Sequence, residues 1–151
     1  MPVAVEIAPV SAEQFEELLP LIAAYQRFYE VEDIDEERNR TFFRRFLAPS
    51  EDGLLLGARA AGHFRGYACL YWHFSSTIAA ETVLMNDLFV EPDDRGQGVG
   101  RALIEAARDV ARERGAAHLE WATAPDNHTA QRLYDSTGAE RSEWVEYELG
   151  L

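Results

Sequence analysis

Asn86 to Leu103 read NDLFVEPDDRGQGVGRAL: an apolar strand pattern, a turn, three glycines at alternate positions and the start of a helix. Glycines remove side chains, so successive backbone N–H groups can converge on an anion at the positive end of the helix that follows. The stretch is a phosphate cradle in outline. It is not a Walker loop, because GxxxxGK[ST] is absent, and it misses the dinucleotide fingerprint GxGxxG because the third glycine falls at Gly100, one residue early.

The helix opened by this turn is expected to run to Arg114 with an apolar face of Val99, Ala102, Leu103, Ala106 and Val110. Gly115 would end it, with Arg112 and Arg114 in the last turn, where the helix dipole favours cations. Upstream, the run from Thr82 to Val90 is apolar except for Asn86 and Asp87 and reads as a strand. Before it, Leu54 to Arg59 and His63 to Phe74 flank Ala60-Ala61-Gly62 as a hairpin.

The N-terminal part is helical after one short strand carrying Val3, Val5 and Ile7. Ser11 and Gln14 have capping-box spacing ahead of Phe15, Leu18, Leu19, Ile22 and Tyr25, with Pro20 an expected kink. Asp35 is expected to cap a second helix through Phe42, Phe43, Phe46 and Leu47, stopped by Pro49. Downstream follow a strand from His118 to Thr123, a helix from Asn127 to Thr137 closed by Gly138, and a final strand from Trp144 to Leu149. The expected order is β-α-α-β-β-β-α-β-α-β, a mixed α/β fold.

At 151 residues, 47% of them hydrophobic, the chain fits one domain, residues 1–151, with a substantial core. All 14 basic residues are Arg. A Schiff-base enzyme, a pyridoxal-phosphate enzyme and a P-loop nucleotidase each need a positioned Lys, so all three are excluded. The net charge of −13 argues against nucleic acid and anionic membranes as partners and favours a cationic one. The single cysteine, Cys69, reads as core filling in a strand, and a reducing, cytoplasmic setting is expected. No basic leader or apolar span of 18 residues is evident, and His63, His73, His118 and His128 lack metal-site spacing.

Arg95-Gly96-Gln97-Gly98-Val99-Gly100 resembles the [QR]-x-x-G-x-[GA] signature of the GNAT superfamily of N-acetyltransferases, in particular its small, Hpa2-like members. The preceding strand, DLFV, and the downstream helix pattern N-x-x-A-x-x-L-Y-x-x-x-G, met by Asn127, Ala130, Leu133, Tyr134 and Gly138, are similar to that family as well. The resemblance extends over nearly the whole chain. It implies the GNAT fold, a central, mostly antiparallel mixed sheet flanked by helices, with acetyl-CoA as cosubstrate and no metal.

The resemblance also implies roles for residues. The backbone around Phe89 and Val90 would pair with the pantetheine arm, and Arg95, Gly96, Gln97, Gly98, Val99, Gly100 and Arg101 would hold the pyrophosphate, their amides and two guanidinium groups supplying positive charge within an acidic protein. Asn127 would bond the cofactor arm and Tyr134 would protonate the leaving thiolate. The reaction is attack of a neutral amine on the acetyl thioester, so a proton acceptor is needed as well. Asp87 is the first candidate, since an acid in an apolar strand is costly unless paired or functional; Glu81 and Glu120 are the others. Leu84 stands where one lineage of the family places Glu, which favours a water relay through Asp87 or Asn86. Tyr29, Glu30, Asn86 and Trp121, with Trp72 and the acidic, aromatic stretch YQRFYEVED, are candidates for holding a small-molecule amine or a basic peptide. A catalytically silent acyl-CoA-binding module is the alternative reading, and family habit implies a homodimer.

Overall fold

Ser11 and Gln14 exchange two hydrogen bonds, from Gln14 N–H to Ser11 Oγ at 3.2 Å and from Ser11 N–H to Gln14 Oε1 at 3.3 Å. This reciprocal pair closes the turn from which helix α1 (Phe15–Phe28) starts, and α1 runs on through Pro20. Asp35 caps α2 (Glu36–Phe43), its Oδ1 accepting from the Arg38 N–H at 2.9 Å, and a 3₁₀ turn at Arg44–Phe46 extends the helix. The computed structural model describes residues 4–151, so Val3 of the expected first strand lies outside them.

Four strands follow one another antiparallel: β1 (Glu6–Pro9), β2 (Gly53–Ala60), β3 (His63–Ser75) and β4 (Ala80–Val90). The β2–β3 turn uses Ala61 and Gly62 at φ 51° and 78°, the two positive values that a right-twisted two-residue hairpin requires. Helix α3 (Val99–Glu113) then crosses over to β5 (Leu119–Glu120), which joins β4 in parallel, giving the sheet order β1-β2-β3-β4-β5.

The sheet is covered on both faces. Phe15, Leu18 and Ile22 of α1 pack with Phe43, Phe46, Leu55, Tyr67, Cys69 and Phe89 in one core, where each large apolar side chain contributes ~1.5–3 kcal/mol. Residues of β3 alternate, so Gly66, Ala68 and Leu70 face the other way, toward α3. A Cβ on Gly66 would lie 2.6 Å from the Phe89 carbonyl oxygen and 3.3 Å from the Leu103 side chain, so glycine there permits the close approach of α3. The buried stripe of α3 is Val99, Leu103, Ile104, Ala107 and Ala111, one residue round from the expected Ala102, Ala106 and Val110, which are only half-buried. Leu103 and Ala107 are buried deepest, and Val110 sits on the flank of the helix.

The chain divides into two compact units, one ending at Trp121 and the other running Ala122–Leu151. The second holds α4 (His128–Asp135). From 139 to 151 the backbone forms neither helix nor strand, so the expected strand Trp144–Leu149 is not present. Val145, Tyr147 and Leu149 keep strand-like alternation, but a strand exists only through a hydrogen-bonded neighbour, and these side chains are exposed.

Candidate active site

The alternation of β4 breaks at Asn86. Cys69 pairs with Asp87, whereas Leu70 pairs with Met85, so Asn86 is an extra residue, a β-bulge. Without it, Met85 and Asp87 would share a face. With it, Asp87 stands beside Phe89 on the α1 side of the sheet, and the Asn86 carbonyl is released from the ladder to accept the Tyr25 hydroxyl of α1 at 3.3 Å.

Asp87 is 3% exposed. Its Oδ2 accepts from the Tyr67 hydroxyl at 3.0 Å and its Oδ1 from Asn86 Nδ2 at 2.7 Å. Burial pushes the carboxyl up from 3.8 to about 6, while the two hydrogen bonds favour the charged form and limit the rise. Burial and the Asp87 charge in turn push the Tyr67 phenol well above its usual range and raise the buried Cys69 thiol opposite. The sequence does not single out Tyr67 as a partner of Asp87: there it is one more aromatic in an apolar strand. Asn86, by contrast, is exposed, so the Asn86–Asp87 pair connects solvent to a buried carboxylate.

An aromatic run leads to this pair. Tyr29 meets Tyr25 edge-on at 5.1 Å, and Tyr25 meets Tyr67 and Phe89 at 6.1 and 6.2 Å. The structure thus brings Tyr29, Asn86 and Asp87 to one region. Glu30 follows Tyr29 in a turn at φ 60° and is exposed. Trp121 is half-buried beyond β5. Trp72 does not join them, because its indole N–H donates to the Ser50 carbonyl at 3.1 Å and the Arg114 guanidinium covers its ring at 3.8 Å. Of the other candidate bases, Glu81 is exposed near the start of β4. The carboxylate of Glu120 lies 2.7 Å from His118 Nε2 and 3.5 Å from His73 Nδ1, a pairing of histidines that their sequence positions do not reveal.

Toward the end of β4 the sheet opens. β5 pairs with Val83 and Leu84 only, so among the described residues the edge of β4 from Met85 to Val90 has no strand on that side. It leads into the glycine turn, where Gly96 and Gly98 adopt φ 77° and 88°, conformations suited to glycine, and no atom lies within 4 Å of a Cβ added at either. Gly98 caps α3 without a side-chain bond, Val99 is buried so that only its backbone faces the turn, Gly100 and Arg101 lie in the first helical turn, and Gln97 Nε2 bonds the Asp93 carbonyl at 3.3 Å. An open strand edge and a turn left uncrowded at Gly96 and Gly98 suit the extended amide arm and pyrophosphate of acetyl-CoA. Arg95 is held in place: its Nε donates to the Val90 carbonyl at 2.9 Å and its guanidinium stacks on Phe28 and Phe89 at 5.7 and 5.6 Å.

Within the second unit, the Asn127 side chain caps α4, accepting from the Ala130 N–H at 3.1 Å. The N-x-x-A spacing is thereby also a capping spacing. Tyr134 lies on α4, half-buried, and Arg141 forks onto Asp135 at 2.7 and 3.0 Å, tethering the chain beyond Gly138. Among the described residues no group of three or more His, Cys, Asp or Glu is placed to hold a metal ion, and no helix is long and apolar enough to cross a membrane.

Comparison with known proteins agrees with this fold. The model of the acetyltransferase (GNAT) family matches residues 18–139. The uncharacterized N-acetyltransferase YhfO of Bacillus subtilis is 35% identical over 82% of this chain and 81% of its own. The D-amino-acid N-acetyltransferase HPA3 of Saccharomyces cerevisiae is 40% identical over 62% of this chain and 60% of its own. A crystal structure of a probable acetyltransferase superposes with a TM-score of 0.84 at 30% identity, covering 97% of both chains. Sequence and architecture therefore agree over most of the chain, which belongs to the GNAT acetyltransferase family and is an acetyl-CoA-dependent N-acetyltransferase.

Proposed function

We propose that the chain, acting as one catalytic domain, transfers the acetyl group of acetyl-CoA to a primary amine of a small molecule or basic peptide by direct attack. Acetyl-CoA supplies the thioester. The edge of β4 at Phe89 and Val90 receives its amide arm, and the amides from Arg95 to Arg101 receive its pyrophosphate, with Asn127 a further contact to the arm. Arg95 braces this turn through Phe28 and Val90.

The acceptor arrives as an ammonium ion. Tyr29, Glu30 and Trp121 hold it by charge and cation–π attraction and Asn86 by hydrogen bonding, and the negative charge of the chain steers it in. Asp87 takes one proton, through a water held at the exposed Asn86, and leaves the amine neutral. As the N–C bond forms and the C–S bond breaks, Tyr134 protonates the thiolate and regains a proton from the new amide nitrogen, so that one proton is released per turnover. The observation that carries this reading is the Asp87 carboxylate, buried yet hydrogen-bonded to an exposed bulge residue beside an open strand edge. The names of HPA3 and its substrate class support an amino compound as acceptor.

The test is amine-dependent release of CoA thiol over a panel containing a polyamine, amino acids and a basic peptide, for wild type and Tyr134→Phe. Turnover with at least one amine, falling about a hundredfold in the variant, is expected. Tight acetyl-CoA binding without turnover on any amine would leave the silent binding module instead.

A further inference from the structure

We propose that Tyr67 is a positioning residue of the acetyl transfer: its hydroxyl fixes the Asp87 carboxylate so that the edge bonded to Asn86 stays turned toward the acceptor amine. The inference rests on the reading of Asp87 as proton acceptor. Tyr67 is wholly buried in β3, outside any reach of substrate, so it acts only through Asp87. Its hydroxyl is spent on Oδ2 at 3.0 Å, which leaves Oδ1 for Asn86 at 2.7 Å.

The geometry explains a polar cluster that the core would otherwise exclude. Tyr67 lies among Phe15, Leu18, Ile22 and Phe89, where a phenylalanine would pack as well and need no partner. The hydroxyl is useful only toward the carboxylate. The bulge makes the contact possible: the extra residue Asn86 turns Asp87 to the α1 side, onto the face that Tyr67 occupies. Tyr25 locks the same bulge from α1, through the Asn86 carbonyl. A carboxylate gripped from below by one strand, and joined above to an exposed amide, is left little rotational freedom.

Tyr67 on β3 and Asn86 on β4 bond to Asp87, Cys69 and Tyr71 on β3 feel its charge, and Tyr25 on α1 acts on Tyr67. Two of these donate to the charged carboxylate, so removing either raises the pH at which it ionises. That direction separates positioning from packing, because a loss of packing alone lowers the rate equally at every pH.

The experiment is the pH dependence of kcat/KM for the amine in wild type, Tyr67→Phe and Asp87→Asn, each as the full chain. Tyr67→Phe is expected to shift the acid limb upward by about one pH unit and to recover most of its lost rate at higher pH, with KM for acetyl-CoA unchanged. Asp87→Asn is expected to abolish the limb. If Asp87→Asn removes the limb and Tyr67→Phe leaves it in place, the Tyr67 proposal is overturned and the role of Asp87 stands. If Asp87→Asn keeps the limb, the proton-acceptor reading itself fails. Should Tyr67→Phe fold poorly, ¹³Cζ-tyrosine NMR of the wild-type protein answers: the Tyr67 resonance must move at the pH of the kinetic limb, and a flat titration overturns the proposal.

Discussion

The Tyr25 hydroxyl donates to the backbone carbonyl of Asn86 at 3.3 Å, so a side chain of α1 stands in for the ladder partner that the bulge forfeits. Tyr25→Phe keeps the ring contacts with Tyr29, Tyr67 and Phe89 and deletes this bond. A neutral hydrogen bond contributes ~0.5–1.5 kcal/mol, so stability should fall by about that amount. Loosening of the bulge should cost up to about tenfold in kcat/KM for the amine while KM for acetyl-CoA stays put. Steady-state kinetics with each substrate varied in turn would show the split.

Replacing Asp87 with Asn should separate stability from activity. The folded carboxyl titrates at about 6 against 3.8 when free, so the native state holds that proton more tightly. Its favourable share is complete below about pH 4 and is lost as the pH rises through about 6. Above that, the ionised, buried carboxylate costs up to ~3 kcal/mol, which Asp87→Asn removes while its amide oxygen still accepts from Tyr67. A Tm higher than wild type at pH 7.5, together with a rate loss of about a hundredfold or more, is expected. Thermal melts at pH 5 and 7.5 check the sign, since the gain should shrink to about half at the lower pH.

Gly98→Ala probes the turn. Nothing would crowd the added methyl, so the penalty is backbone strain at φ 88°, on the order of 1–2 kcal/mol. A methyl over the first amides of α3 also obstructs an approaching pyrophosphate. KM for acetyl-CoA should rise about tenfold with little change in KM for the amine, as isothermal titration with CoA can verify independently.

Glu120→Gln is expected to retain more than half of wild-type kcat/KM at pH 8. The carboxylate is half-exposed and engaged by His118 and His73 on the far part of the sheet, so its loss disturbs a surface pairing alone. A collapse of activity comparable to that of Asp87→Asn would transfer the proton-acceptor role to Glu120.

Local signals in the chain read through to structure wherever the chemistry is local. The Ser11–Gln14 box, the Asp35 cap, the Ala61-Gly62 hairpin turn and the glycine turn at 96–98 each depend on a few adjacent residues, and each formed. Asp87 stood out because a charge among apolar neighbours demands a reason. The bulge at Asn86 did not, since an inserted residue only shows once the opposite strand sets the register. Tyr67 was hidden for the same reason, its partner being 20 residues away. The segment 144–149 shows the converse: alternation alone does not make a strand when no ladder partner is supplied.

Cys69 gives the protein a practical property. It is the only thiol in the chain and is completely buried, with its ionisation suppressed. A thiol-reactive dye added to an assay therefore registers each molecule of free CoA as it is made and nothing from the native enzyme. The same dye registers one further equivalent per chain when the fold opens. A single cuvette can thus report turnover as a steady slope and global opening as a slow burst of fixed height.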